Sequence, residues 1–204
     1  MKTRIAVSLP VLSVIVLLII GGCATTAKIT EPATEGSTLL VGRIEVTCED
    51  FAQMWNMNGK HTNNITIDLR NLLTSELISV RSRGADGIFF IDDPEYGIYT
   101  IEKFSYSAGG SRTTFHLGHL LNDGVIFAIE KNAVNNLGDI EWYAKCMEKE
   151  SREYSRSASH YTYEVHTAHR YRQNFTELRS WFESTYPQSG WNDENWINVE
   201  YVSQ

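Results

Sequence analysis

"DGIFFIDDPEYGIYTI", Asp86 to Ile101, holds two short apolar runs separated by a breaker. Phe89 and Ile91 fall on one face of the first run, Asp92-Asp93-Pro94 interrupts it, and Tyr99 lies in the second. A period of two is that of a half-buried strand, and a proline among acidic residues marks a turn. The same rhythm continues outward. Upstream, Leu40, Ile44, Val46 and Cys48 share a face of residues 38–48, with Gly42 in the gap. Ile65, Ile67 and Leu69 share a face of 64–72, and Ile78 and Val80 resume it after Thr74-Ser75, which predicts a hairpin. Downstream, strands are predicted at 97–106, 112–117, 124–130 and 134–146, with Ser-, Gly- and Asn-rich loops at 107–111 and 118–123.

Glycines 87 and 97 carry a further signal. Gly87 permits a tight entry into its strand, and Gly97 permits a positive φ before Tyr99 re-enters the core. With Asp86, Phe89, Tyr99 and Ile101 they form a pattern that resembles the D-G-x-F-x-F…P-G-x-Y-x-I signature of carboxypeptidase-regulatory-like domains, the transthyretin-like and Cna-B-like β-sandwiches. Pro94, Tyr96 and Ile91 depart from that signature. Phe127–Glu130 and Val134–Ile140 are similar to the closing strands of bacterial lipoproteins that carry such a domain. The resemblance spans about residues 38–145 and implies a noncatalytic adhesion, spacer or binding module.

Beyond Cys146 the chain changes character. Residues 147–159 are polar and read as an exposed excursion or linker; Tyr161, Tyr163 and Val165 then suggest one more strand. Phe175, Leu178, Trp181, Phe182 and Thr185 follow a helical period, with Asn174 at the N-cap, Glu177 at N3 and Pro187 as the stop. The expected architecture is mainly β: an antiparallel sandwich of seven to eight strands with one C-terminal helix packed on it, its apolar stripe against the sheet. Trp191, Trp196 and Tyr201 are expected to fasten the tail, completing one domain from 38–146 and 147–204.

The N-terminus sets the compartment. Lys2 and Arg4 precede an apolar run from Ile5 to Ile20, too short for a membrane span of about 20 residues. Ile20-Gly21-Gly22-Cys23 resembles the lipobox of bacterial lipoproteins. The resemblance implies a signal peptide over 1–22, acylation of Cys23 and a tether over 23–37, with the membrane reached through lipid alone. Loss of Lys2 and Arg4 takes the net charge from −7 to −9, which gives no attraction to nucleic acid. The expected location is the bacterial cell envelope, with Ala24 favouring the outer membrane, and the expected partners are an envelope protein or other envelope component.

Few residues nominate chemistry. Cys48 and Cys146 both fall on core-facing positions, as a disulfide closing a loop of about 100 residues or as two buried thiols. His160, Glu164 and His166 would share a strand face and are weak metal candidates, as are His116, His119 and His169. Asp86, Asp92, Asp93 and Glu95 crowd one stretch of sequence and are weak candidates for a calcium site, without the EF-hand order. The late aromatics, Tyr154, Tyr161, Tyr163, Tyr171, Trp181, Tyr186, Trp191, Trp196 and Tyr201, would serve either as glue between helix and sheet or as a sugar platform. No Ser/His/Asp elbow, phosphate loop or redox C-x-x-C is present. The expectation is a nonenzymatic, cofactor-free domain, with a carbohydrate-binding module and a histidine-dependent metal hydrolase as alternatives.

Overall fold

The structure is a computed structural model that describes residues 29–32, 36–50, 58–108, 111–116, 125–154 and 159–202. Side chains at 107–108, 111–113, 116, 146–154, 159–169, 171 and 202 fall outside the described set. The described residues form twelve strands: β1 Leu39–Glu49, β2 Gly59–His61, β3 Ile65–Asn71, β4 Leu77–Arg81, β5 Ile88–Asp92, β6 Gly97–Ala108, β7 Ser111–His116, β8 Ile126–Ile129, β9 Val134–Tyr154, β10 Ser159–Arg172, β11 Trp196–Asn198 and β12 Tyr201–Val202. Among the described residues one α-helix, α1, covers Phe175–Thr185.

Two six-stranded sheets face each other, giving the mainly-β sandwich that the alternation implies. In the first, here sheet A, β1 and β9 form the centre; β5 and β2 follow one another along the outer edge of β1, and β11 and β10 along that of β9. Sheet B runs β12-β8-β6-β3-β4, with β7 also on β6. Leu40, Ile44, Val46 and Cys48 from sheet A meet Ile65, Ile67, Leu69, Tyr99, Phe104 and Phe127 from sheet B in one buried core.

Three expectations need correction. The strand count exceeds seven or eight, because β2, β11 and β12 are two or three residues long and carry too little sequence to show a period. The sandwich is not wholly antiparallel: β1 pairs with β9, and β9 with β11, in parallel. Nearly the whole of sheet B lies in sequence between β1 and β9, so this pairing needs no βαβ unit. Third, the polar residues 147–154 are not a linker. They extend β9 past its last partner on β1, Lys145, as a ribbon paired only with β10.

Glycines 42 and 87 explain how β5 sits on β1. Gly42 faces Phe89 across the ladder, and a Cβ at Gly42 would lie 2.5 Å from the Phe89 ring. Gly87, at φ 70°, brings its carbonyl to the Ile44 amide at 2.9 Å, and any Cβ there would strike the Ile44 carbonyl. Gly97 has the positive φ, 150°, that its place before Tyr99 suggested.

Helix α1 lies on the outer face of sheet A. Leu178 and Phe182 are buried against Leu39, Val41, Ile88 and Val134, with Ile29 and Trp191 closing the cluster. Phe90 meets Trp181, Phe182 and Tyr186 with ring centroids 5.9–6.4 Å apart, and Phe182 meets Trp196 edge-on at 5.2 Å. Tyr201 donates its hydroxyl to the Leu137 carbonyl. The described late aromatics therefore bind helix and tail to the sheet. Asn174 stands at the N-cap position but its side chain makes no capping bond; its amide is turned to Asp139 instead.

Candidate functional site

The helix covers only half of that face. On β1 the outward positions run Leu39, Val41, Arg43, Glu45, and the last two lie beyond the start of α1. A bulge in β9 shapes the same boundary: Val41 pairs with Asn136 and Arg43 with Asp139, so β9 holds one residue more. Gly138, at φ 67°, takes the turn in the chain and accepts no side chain easily, since a Cβ would lie 2.7 Å from the Arg172 carbonyl. The bulge lets Leu137 and Ile140 both enter the core, while Asn136 and Asp139 stay on the helix side. Asn136 fixes the helix start, its amide donating to the Phe175 carbonyl at 2.9 Å and its oxygen accepting from Gly138 N–H.

The result is an open cleft of about 220 Å³ at the N-terminal end of α1, lined by Arg43, Glu45, Lys60, Asp139, Ile140, Glu141, Arg172, Asn174 and Glu177. Glu45 and Glu141 sit directly opposite on the parallel pair β1 and β9. Like charges so placed repel. Each is offset from the flanking strand, Glu45 by Lys60 and Glu141 by Arg172 at 2.8 Å. Arg43 reaches both Asp139 at 3.5 Å and Glu177 of the helix at 3.4 Å. Asp139 also accepts from the Asn174 amide at 2.9 Å.

Two atoms in this array lack hydrogen-bond partners although buried: Arg43 Nε and Asp139 Oδ1. The second has only the long ionic contact to Arg43. An unpaired buried polar atom costs about 1–3 kcal/mol, so these two atoms are a local cost of holding Arg43 between Asp139 and Glu177.

The sequence candidates are dispersed. Cys48 is a buried free thiol, and desolvation pushes it up to about 11, the opposite of a nucleophile's requirement. Its ladder partner is Ala144, which puts Cys146 at the diagonal position. Diagonal neighbours on a sheet stand about 7–8 Å apart at Cα, beyond the ~6.8 Å that a disulfide spans. Of the two alternatives, the register favours separate thiols.

His160, Glu164 and His166 fall on β10, whose register is irregular between Thr162 and Tyr163 and between Glu164 and Val165. Their side chains, with those of His116, His119 and His169, lie outside the described residues. Asp86 precedes β5, Asp92 is its last residue and pairs with Leu39, and Asp93 and Glu95 follow, so the length of the strand separates Asp86 from the other three. Among the described residues no three His, Cys, Asp or Glu side chains converge in a metal-binding group. Cys23 lies outside the described residues.

The cleft itself was not foreseen, although part of its signal is in the sequence. Arg43, Glu45, Asp139 and Glu141 are the polar partners in the alternation that marks β1 and β9 as strands. What one strand cannot disclose is that the two are neighbours in parallel, or that Lys60 and Arg172 flank them. No protein-family model matches this sequence, and no curated protein matches it.

Proposed function

We propose that the chain is a lipid-anchored protein of the bacterial envelope whose sandwich is a noncatalytic binding module, and that the cleft on sheet A holds its partner. The observation that carries the cleft is its lining, three cationic and four carboxylate side chains brought by β1, β2, β9, β10 and α1 around one open space of about 220 Å³. Such a lining suits a polar segment of an envelope protein, whose amides and carbonyls bring donors and acceptors together. The anchor rests on the lipobox resemblance at Cys23, with membrane contact through acyl chains and the outer membrane as the favoured site.

Two experiments test these parts separately. Palmitate should label the wild type and not Cys23→Ala; labelling that survives the substitution removes the anchor. A photoreactive amino acid in place of Lys60 should crosslink a specific partner in cells, and Arg43→Gln should abolish that crosslink while the far-ultraviolet spectrum is unchanged. Crosslinks indifferent to Arg43 would remove the cleft from the binding surface.

A further inference from the structure

We propose that the end of the sandwich where the chain enters β1 rests against an uncharged phospholipid surface, through Leu72, Leu73, Leu77, Tyr96 and Ile98. The proposal deepens the lipid-anchored reading and rests on it.

Among the described residues these five are the exposed large hydrophobic side chains, and all lie at one end of the molecule. Leu73 is 71% exposed at the tip of the β3–β4 turn. The Leu72 amide donates to the Ile98 carbonyl at 2.7 Å, which joins that turn to the start of β6. Leu77 follows at the start of β4 opposite Arg70, and Tyr96 precedes β6 with Lys131 over its ring. Contiguous exposed apolar side chains of this kind mark an interaction surface.

The entry of the chain identifies the occupant. Thr38 accepts at its carbonyl from Asp93 N–H and at its hydroxyl from Asn132 N–H, so β1 begins between the turns that carry Tyr96 and Lys131. Ile29, Thr30 and Glu31 are already docked: Ile29 is buried with Leu39 and Val134, the Thr30 carbonyl accepts from Trp191 Nε1 at 2.7 Å, and Glu31 accepts from Gly190 N–H at 2.8 Å. The leash expected to run to Ser37 is therefore much shorter. Six residues from Cys23 to Ile29 reach at most about 20 Å, whereas the 11-residue β1 is about 35 Å long.

An acylated Cys23 thus holds this end near the bilayer and leaves the β9–β10 ribbon pointing away. The helix side is unsuited to lipid contact, because Glu177, Arg179 and Glu183 are charged and lie on its outer surface. Glu76 and Glu95 lie near the apolar side chains, close enough to act on the Tyr99 hydroxyl, so attraction to anionic lipid is not expected.

The test uses the full chain purified from bacterial membranes and placed in vesicles of phosphatidylethanolamine and phosphatidylcholine that carry a phospholipid with a diazirine near its glycerol. After irradiation, adducts are expected on peptides containing 72–77 and 96–98 and not on those containing 58–64 or 81–87. Leu73→Asp, at an exposed turn, should cut labelling of its own peptide severalfold. Mass analysis of the N-terminal peptide separates the failures. Acylated Cys23 with no adducts at 72–77 and 96–98, equal labelling at the far end, or labelling untouched by Leu73→Asp each overturns the lipid contact alone. Unacylated Cys23 overturns the anchor and the contact together.

Discussion

Along one face of β1, Leu39 and Val41 lie under α1, while Arg43 and Glu45, two and four residues further, line an open cleft. Strand, sheet and the partner β9 are the same; the outer neighbour passes from β5 to β2, and the helix lands on one half alone. Eleven residues of α-helix cover about 16 Å, roughly half the length of β1, so apolar residues are useful beneath it and charges tolerable beyond it. Asn136 and Gly138 set the boundary by holding the first turn of α1 over the bulge in β9. The two halves should consequently respond to mutation in different currencies: the covered half in stability, the uncovered half in binding.

The largest effect is expected in the covered half. Phe182 is fully buried and touches Phe90, Tyr186 and Trp196. Phe182→Ala should cost about 3–5 kcal/mol in urea unfolding. A loss under about 1 kcal/mol would mean that the helix is an accessory to the fold, and the contrast between the halves would collapse.

The boundary comes next. Gly138→Ala places a Cβ at positive φ against the Arg172 carbonyl, and should destabilise by about 1–3 kcal/mol from backbone strain. It should also weaken partner crosslinking from position 60, because Asp139 and its ladder partner Arg172, at the end of β10, move together. A stable variant with unchanged crosslinking would detach the bulge from the cleft.

A third measurement asks whether the core behind the charged half is as dry as that behind the helix. Cys48 lies there, and its thiol is pushed from 9.0 up to about 11 by desolvation. An acid whose pKa is raised on folding contributes stability in full below its unfolded value, and loses it as pH rises from there toward the folded value. Stability should therefore fall between about pH 9 and pH 11, by up to roughly 2–3 kcal/mol, and Cys48→Ala should remove that part of the slope. Folded protein should resist alkylation of Cys48 at pH 8; rapid reaction would show water reaching the core from the cleft side.

The sequence reading reached the covered half far better than the uncovered one. Alternation located β1, β3–β6, β8 and the start of β9, and a 3.6-residue period located α1, because burial on one face imposes a rhythm visible in a single segment. Residues 147–154 escaped it: a ribbon beyond the sandwich has no core face, so its strand pairing leaves no apolar period. Asn174 occupies the N-cap position that was read for it, but its side chain bonds Asp139 and makes no capping bond, because N-cap preference is local and that hydrogen bond is not. The charged cleft is a relation among β1, β2, β9, β10 and α1, and only the parallel pairing of β1 with β9 brings Glu45 opposite Glu141.

The smallest stability effect is expected from the cleft's outer wall. Arg172 meets Glu141 at 2.8 Å with nearly half of its side chain exposed, and an ion pair so placed contributes at most about 1 kcal/mol. Arg172→Ala should therefore leave unfolding in urea almost unchanged at moderate salt. It removes the cation that offsets the Glu45–Glu141 repulsion on that side, so the remaining stability should rise with added salt as screening takes over. Binding should respond in the opposite proportion, with crosslinking from position 60 reduced although the fold is intact. If Arg172→Ala instead destabilised the protein as much as Phe182→Ala, the charges would be part of the fold's framework, and the uncovered half of sheet A would no longer differ in kind from the half beneath α1.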